Sequence, residues 1–263
     1  MKNELFTIGP VTIYGYGLMM ALGIVAAYSL LEYRAKKKGM DGDSVLTMAI
    51  IAVACGLLGA KVLYLITRMS DLIADPSIFW NCLKDGFVVY GSIIGGVLGA
   101  MLGCKIKKLH FLTIFDLTVP GLALAQGIGR IGCFLAGCCY GMEVSESCAI
   151  AVTFTNSAYA PNNVPLLPAQ LISSFLNILH FAVLMFLSTK LKKHGQVAGC
   201  YLVFYSIGRF ILEYFRGDLI RGNVGTFTTS QFISIFIVLA GLFMIFVLPK
   251  FDKKKETSEE TQI

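Results

Sequence analysis

Apolar residues in this chain do not alternate with polar ones; they run together. Seven apolar stretches of near-spanning length recur, at about 11–31, 44–66, 87–104, 110–130, 166–189, 197–216 and 230–249. At a helical rise of about 1.5 Å per residue, some twenty apolar residues cross a hydrocarbon core about 30 Å thick. Continuous runs favour helices over the alternating strands of a barrel. The pattern predicts an all-α integral membrane protein with seven transmembrane helices and an outer-side loop region between helices four and five. Residues 1–250 are expected to form one transmembrane domain, and 251–263 a polar, disordered cytoplasmic tail. The segment that starts the chain runs on at spanning length, so no cleaved leader is expected.

Composition sharpens this picture. Apolar residues make up 56% of the chain and charged residues 14%, against about 25% charged in soluble domains. The net charge of +6 could suggest a nucleic-acid partner, but the positions of the charges exclude that reading. Loops after segments one, three and five, with the tail, hold fourteen basic residues: Arg34, Lys36, Lys37, Lys38, Lys105, Lys107, Lys108, Lys190, Lys192, Lys193, Lys250, Lys253, Lys254 and Lys255. The opposite side holds five: Lys2, Arg68, Lys84, Arg216 and Arg221. The asymmetry predicts an outer N-terminus and a cytoplasmic C-terminus.

Lys61, Arg130 and Arg209 remain, and all three fall inside predicted spans. Ionisable residues there are costly and face the bundle interior or a wet cavity. Counting helical rise from the cytoplasmic ends puts Lys61 about 25 Å up, Arg130 about 30 Å, Arg209 about 18 Å and Glu213 about 24 Å. Tyr16 and Tyr90 begin spans that enter from outside. Six polar groups from five helices thus fall in the outer half of the bilayer, a cationic pocket suited to a phospholipid headgroup. Plainer readings stand beside this one. Arg209 and Glu213, spaced i, i+4, can pair for structure alone. Lys61 can snorkel to the interface, and tyrosines commonly belt the membrane surface.

Other signals point elsewhere. Gly127, Gly129 and Gly132 match G-x-G-x-x-G, but that fingerprint needs a preceding strand, and here it ends a span. Gly91, Gly95, Gly99 and Gly103 form a helix-packing ladder. Cys133, Cys138 and Cys139 are spaced C-x4-C-C, which fits no common zinc pattern, so no metal is expected. No cofactor is expected either. Cys82 and Cys148 could pair, but sequence cannot settle it. The histidines His110, His180 and His194 fall at or towards the cytoplasmic side. No Ser-His-Asp set is therefore visible.

Several motifs in order resemble one known family, the prolipoprotein diacylglyceryl transferases. IYGYGLMMALG (13–23) resembles its first-helix motif, the tyrosine falling on Tyr16. GAKVLYL (59–65) is similar to G-A-R-x-x-Y, with Lys61 for Arg. GFVVYGSIIGG (86–96) looks like a segment carrying His in some members and Tyr in others, here Tyr90. GRIGCFLAGCCYG (129–141) is similar to the signature G-R-x-G-N-F-x-N-x-E-x-x-G. LPAQL (167–171) resembles P-x-Q-L, and GRFILEYFRGD (208–218) resembles R-F-x-x-E-x-x-R. The signature departs at three positions, Cys133 and Ala136 for Asn and Cys138 for Glu, while Arg130, Phe134 and Gly141 are kept.

The resemblance implies a transferase in a bacterial cytoplasmic membrane. It would move the diacylglyceryl group of phosphatidylglycerol onto the lipobox cysteine of a prolipoprotein, forming a thioether and releasing glycerol phosphate. Tyr90, Arg130, Arg209 and Glu213 would be catalytic, with Arg130, Tyr16, Lys61, Gly141 and Arg216 binding substrate. The implied partners are phosphatidylglycerol, the prolipoprotein signal peptide and the bilayer, with no nucleic acid. Two alternatives stay open: a paralogue lipidating another acceptor, and a non-catalytic lipid-binding protein with redox-active cysteines.

Overall fold

A computed structural model describes residues 4–8, 11–84, 86–217 and 223–250. The tail at 251–263 lies outside the described residues, as do Lys2 and Arg221. The elements, in order, are β1 (Glu4–Ile8), β2 (Val11–Tyr14), α1 (Gly15–Lys37), α2 (Gly42–Thr67), α3 (Met69–Ala74), a short 3₁₀ turn (Pro76–Ile78), α4 (Phe79–Lys84), α5 (Val89–Ile106), α6 (Phe111–Ala136), β3 (Val152–Thr153), β4 (Pro165–Leu166), α7 (Ala169–Lys190), α8 (Gln196–Glu213), β5 (Asn223–Val224), β6 (Phe227–Thr228) and α9 (Thr229–Phe246). Six helices are long and apolar enough to cross a membrane: α1, α2, α5, α6, α7 and the helix at Thr229–Lys250. The seventh predicted segment is also a helix, α8, but the polar and charged residues along it keep it out of that set. Large apolar side chains such as Val25, Leu58 and Phe236 are exposed, as lipid-facing surfaces require. The chain is a multi-pass membrane protein.

Several boundaries differ from the sequence reading: α1 runs on to Lys37 rather than ending at 31, and α8 ends at Glu213 rather than 216. The apolar run at 11–14 is not the start of a helix; it pairs antiparallel with β1, because a short β-rich stretch flanked by a second one satisfies its backbone by pairing. The fourth helix does not stop at Arg130 but continues to Ala136, since no proline between Arg130 and Gly137 interrupts its backbone ladder. The fifth begins at Ala169 rather than 166, after Pro168, with residues 165–166 in a strand.

The chain divides into two compact units, residues 32–114 and residues 1–31 with 115–263. In the 32–114 unit, α2 and α5 pack along the glycine ladder, as the sequence predicted. A side chain at Gly95 would collide with the Cys55 carbonyl, and one at Gly91 with the Gly59 carbonyl. Small residues here let backbones touch, which is how helices hold together without a hydrophobic driving force.

In the other unit α6 is the central helix. Half of its most apolar stretch is buried, against no more than 22% for any other span. Tyr16 of α1 packs its backbone on Gly132. The Ser174 hydroxyl of α7 donates to the Gly127 carbonyl at 2.8 Å. From α8, the Tyr201 hydroxyl accepts from Gln126 at 2.9 Å. Asp116 ties the start of α8 to α6: its carboxylate accepts from the Gly195 and Ala198 N–H groups at 2.7 and 2.8 Å. It thereby satisfies N–H groups that open a helix and complements the dipole. Asp116→Ala should lower stability by about 1–3 kcal/mol, because buried donors lose their acceptor. A melting temperature in detergent equal to that of the unaltered protein would overturn this.

Candidate functional site

The site is built where α6 ends. Gly137 adopts φ +74° and stops the helix: its N–H bonds the Phe134 carbonyl and the Cys138 N–H reaches back to Cys133. These two bonds define a Schellman cap, which brings the side chains of the fourth-last helical residue and the residue after the glycine together. Here those residues are Cys133 and Cys138. Cys139 follows at φ +58°, a left-handed conformation that a non-glycine residue rarely adopts, and this turns its thiol back. The three sulfurs lie within 4.8 Å of one another. Gln170, at the start of α7 and 1% exposed, donates its amide to the Cys138 carbonyl at 2.9 Å. The P-x-Q-L glutamine thus pins the cysteine turn. Gln170→Leu should leave that carbonyl without its donor and misplace the turn, lowering activity by about tenfold if the lost bond contributes its usual ~1.5 kcal/mol. Wild-type turnover in this variant would sink that role.

Chain segments then cross outside α6. The Gly141 N–H donates to the Leu167 carbonyl, the Gly217 N–H to Tyr140 and the Met142 N–H to Phe215, and Gly141 bridges Arg216 as in a sheet. A side chain at Gly141 would collide with the Leu167 carbonyl. Gly141 therefore belongs to the site through its lack of a side chain, which lets the segment bearing Arg216 lie against 140–142.

Three arginines line one cavity of about 340 Å³: Arg130 from α6, Arg209 from α8 and Arg216 just beyond it. Arg209 and Glu213 form a buried ion pair at 2.8 Å, their side chains 15% and 4% exposed. A second guanidinium nitrogen of Arg209 donates to the Ser230 hydroxyl at 3.0 Å. Among the described residues no carboxylate pairs with Arg130. Among the described residues that line the cavity there are three guanidinium groups and no carboxylate, a lining that favours an anion. Cys139 shares the wall. Its thiol, bonded by Cys133 and Cys138 and then by Arg216, is held below the ordinary thiol range. Tyr16 lies near enough to the three cysteines and Arg130 to interact with them electrostatically.

The cavity also holds residues that the sequence reading did not select: Ser173, Asn177 and His180 from α7 and Tyr205 from α8. His180 was expected towards the cytoplasmic side, away from the site; instead it lines the same cavity, its ring stacked 5.3 Å from Tyr201. The cavity runs down α7 and α8 for several turns, so depth alone did not separate His180 from the arginines. The i, i+4, i+7 spacing of 173, 177 and 180 is the signal that could have found this polar face.

Lys61 and Tyr90 belong to the 32–114 unit. The Lys61 ammonium donates to the Cys82 and Gly86 carbonyls at 3.2 and 2.9 Å and sits 4.2 Å over the Phe87 ring. These contacts tie α2 to the segment before α5. Tyr90, in the first turn of α5, is exposed. All eight cysteines are free thiols, Cys82 and Cys148 included.

Comparison with known proteins gives the family. The family model described as prolipoprotein diacylglyceryl transferase matches residues 3–247. The chain belongs to the prolipoprotein diacylglyceryl transferase family. A protein of Clostridium tetani named phosphatidylglycerol–prolipoprotein diacylglyceryl transferase is 47% identical over 254 residues, covering 97% of this chain and all of the relative. One of Clostridium perfringens, named phosphatidylglycerol–prolipoprotein diacylglyceryl transferase 2, is 44% identical over 261 residues, 99% of this chain and all of the relative. One of Dehalococcoides mccartyi carrying the first of those names is 31% identical over 259 residues, 97% of this chain and 96% of the relative.

Proposed function

We propose that this chain transfers the diacylglyceryl group of phosphatidylglycerol to the lipobox cysteine of a prolipoprotein, in a bacterial cytoplasmic membrane. The observation that carries the reading is the cavity lined by Arg130, Arg209 and Arg216 inside a multi-pass helical protein of this family. Its volume is in the range of cavities that hold small ligands or headgroups, about 300–1,000 Å³.

The thiolate of the acceptor attacks the glyceryl carbon that bears the phosphate. A C–S bond forms, the C–O bond breaks, and glycerol phosphate leaves with the electron pair. Negative charge grows on the departing phosphate oxygen as that bond lengthens. Fixed guanidinium groups in a low-dielectric cavity stabilise this charge more in the transition state than in the ground state. Arg130 is the headgroup clamp. Arg209 stabilises the leaving phosphate, and Glu213 and Ser230 orient its planar fork. Arg216, carried on the crossing that Gly141 permits, adds a third cation. Tyr16 borders the lipid headgroup, and in this reading Lys61 is assigned to substrate binding and Tyr90 to relaying the thiol proton. In this reading α8 is a seventh span, the N-terminus is outside and the C-terminus cytoplasmic, and residues 1–250 act as one domain.

The test is purified protein in phosphatidylglycerol vesicles with a lipobox peptide. Glycerol phosphate release should match formation of thioether-linked peptide mole for mole. Absence of both, with folded protein, would overturn the assignment. Release without peptide modification would point to the alternative acceptor.

A further inference from the structure

We propose that Cys133, Cys138 and Cys139 form a three-thiolate site for a soft d10 cation of the Zn(II) kind, with its fourth coordination position left for an incoming thiol. Three observations converge. The sulfurs all lie within 4.8 Å of one another. A cation with Zn–S bonds of about 2.3 Å needs sulfurs about 3.8–4.0 Å apart, so closing the set requires side-chain rotation and no movement of the chain. The backbone presents them together twice over: the Schellman cap pairs Cys133 with Cys138, and the left-handed Cys139 adds the third. Strain of this kind persists only where the surroundings hold it, and Gln170 holds this turn from α7. Finally, Arg130 and Arg216 line the same cavity as Cys139. Three thiolates exceed the charge of one divalent ion, and two guanidinium groups offset the remainder.

Three protein ligands with one open position is the arrangement of reactive rather than structural zinc. Cys139 lines the Arg130–Arg209 cavity, so a thiol entering that cavity can supply the fourth sulfur. On coordination each protein thiol and the incoming thiol lose a proton to solvent; a coordinated thiol is deprotonated outright. This consequence rests on the proposed transfer reaction. The bound thiolate then forms the C–S bond as the glyceryl C–O bond breaks, glycerol phosphate departs, and the neutral thioether, a weaker ligand, leaves the cation unchanged. Coordination would supply the acceptor as a thiolate at the edge of the arginine cavity.

The experiment uses the full chain, reduced and in lipid nanodiscs, titrated with Co(II) as a spectroscopic probe and Zn(II) as competitor. One Co(II) per chain should bind with intense sulfur-to-metal charge-transfer absorption, and X-ray absorption should count three sulfurs. Cys133→Ser, Cys138→Ser and Cys139→Ser should each weaken binding by roughly tenfold or more, and Cys148→Ser should not. Fewer than three sulfurs in the unaltered protein, or equal binding by a variant with all three replaced by alanine, overturns the site; the sulfur count does not depend on any variant folding. Adding a lipobox-type peptide should raise the count to four, and its Cys→Ser version should leave it at three. An unchanged count with the cysteine peptide overturns the fourth-position role. Three sulfurs together with no diacylglyceryl transfer would uphold the cation site and remove the reaction it was argued to serve.

Discussion

Arg209→Ala abolishes diacylglyceryl transfer, with an expected loss of about 10²–10³ in turnover, the range for removing one preorganised donor from a developing anion. The variant also leaves Glu213, 4% exposed, without its partner. Breaking a buried pair on one side costs about 3–5 kcal/mol, whereas replacing both partners with apolar side chains is often neutral or stabilising. The two effects separate cleanly. Arg209→Met combined with Glu213→Met should melt near the unaltered protein yet remain inactive, while Arg209→Ala alone should be both inactive and less stable. Recovery of transfer in the double variant would show that the pair is structural only, the plainer reading its i, i+4 spacing allowed. Thermal melts and the peptide-lipidation assay on the same preparations decide it.

Arg130→Ala is the second large effect and has the opposite stability signature. No carboxylate among the described residues pairs with Arg130, so its removal strands no buried charge. The variant should fold and melt at or above the unaltered temperature, because a half-buried charge in a membrane protein is costly to keep. Its kcat/KM for phosphatidylglycerol should fall by about 10²-fold. Arg130→Lys should recover only part of this, since an ammonium keeps the charge but not the planar fork that grips two phosphate oxygens. If Arg130→Ala transferred at full rate, Arg130 would be excluded as the headgroup clamp. Comparing the melts of the two arginine variants distinguishes a charge kept for binding from one kept in a pair.

Much of the helical framework was legible because membrane physics writes it locally. A span must satisfy its own backbone and present apolar side chains for its whole length, so runs near 44–66, 87–104 and 230–249 lie close to α2, α5 and α9. The glycine ladder was legible for the same reason: four-residue spacing marks one helix face. Local pattern misled where a neighbour decided the outcome. Residues 11–14 are apolar enough to begin a helix, but pairing with β1 makes them a strand. Arg130 ended the apolar run without ending the helix, because helix termination is set by Gly137.

The arginines were found by their cost. A charge inside a span is conspicuous in one dimension, so Arg130, Arg209 and Glu213 could be named and ranked by depth. The polar residues Ser173, Asn177 and His180 could not, since none is expensive enough to stand out and only the rotation of α7 shows that they share a wall with Arg209. Gln170 was visible as part of a motif but not as the residue that holds the Cys138 carbonyl. Lys61 was named by depth, yet the Cys82 and Gly86 carbonyls to which it donates come from a segment whose return to α2 no periodicity announces.

The cysteines mark the division most clearly. Spacing rules for metal sites assume ligands paired along a loop or a hairpin, and C-x4-C-C satisfies none of them. The cap geometry around Gly137 folds that spacing into a cluster, and a left-handed Cys139 completes it. Sequence alone determined that this chain spans a membrane and that it carries cations where cations are costly, because each is a property of one segment in its solvent. Tertiary structure alone decided which of those charges are paired, which helix faces meet around the cavity and that three thiols converge, because each depends on backbone direction at the ends of helices and on contacts between segments far apart in the chain.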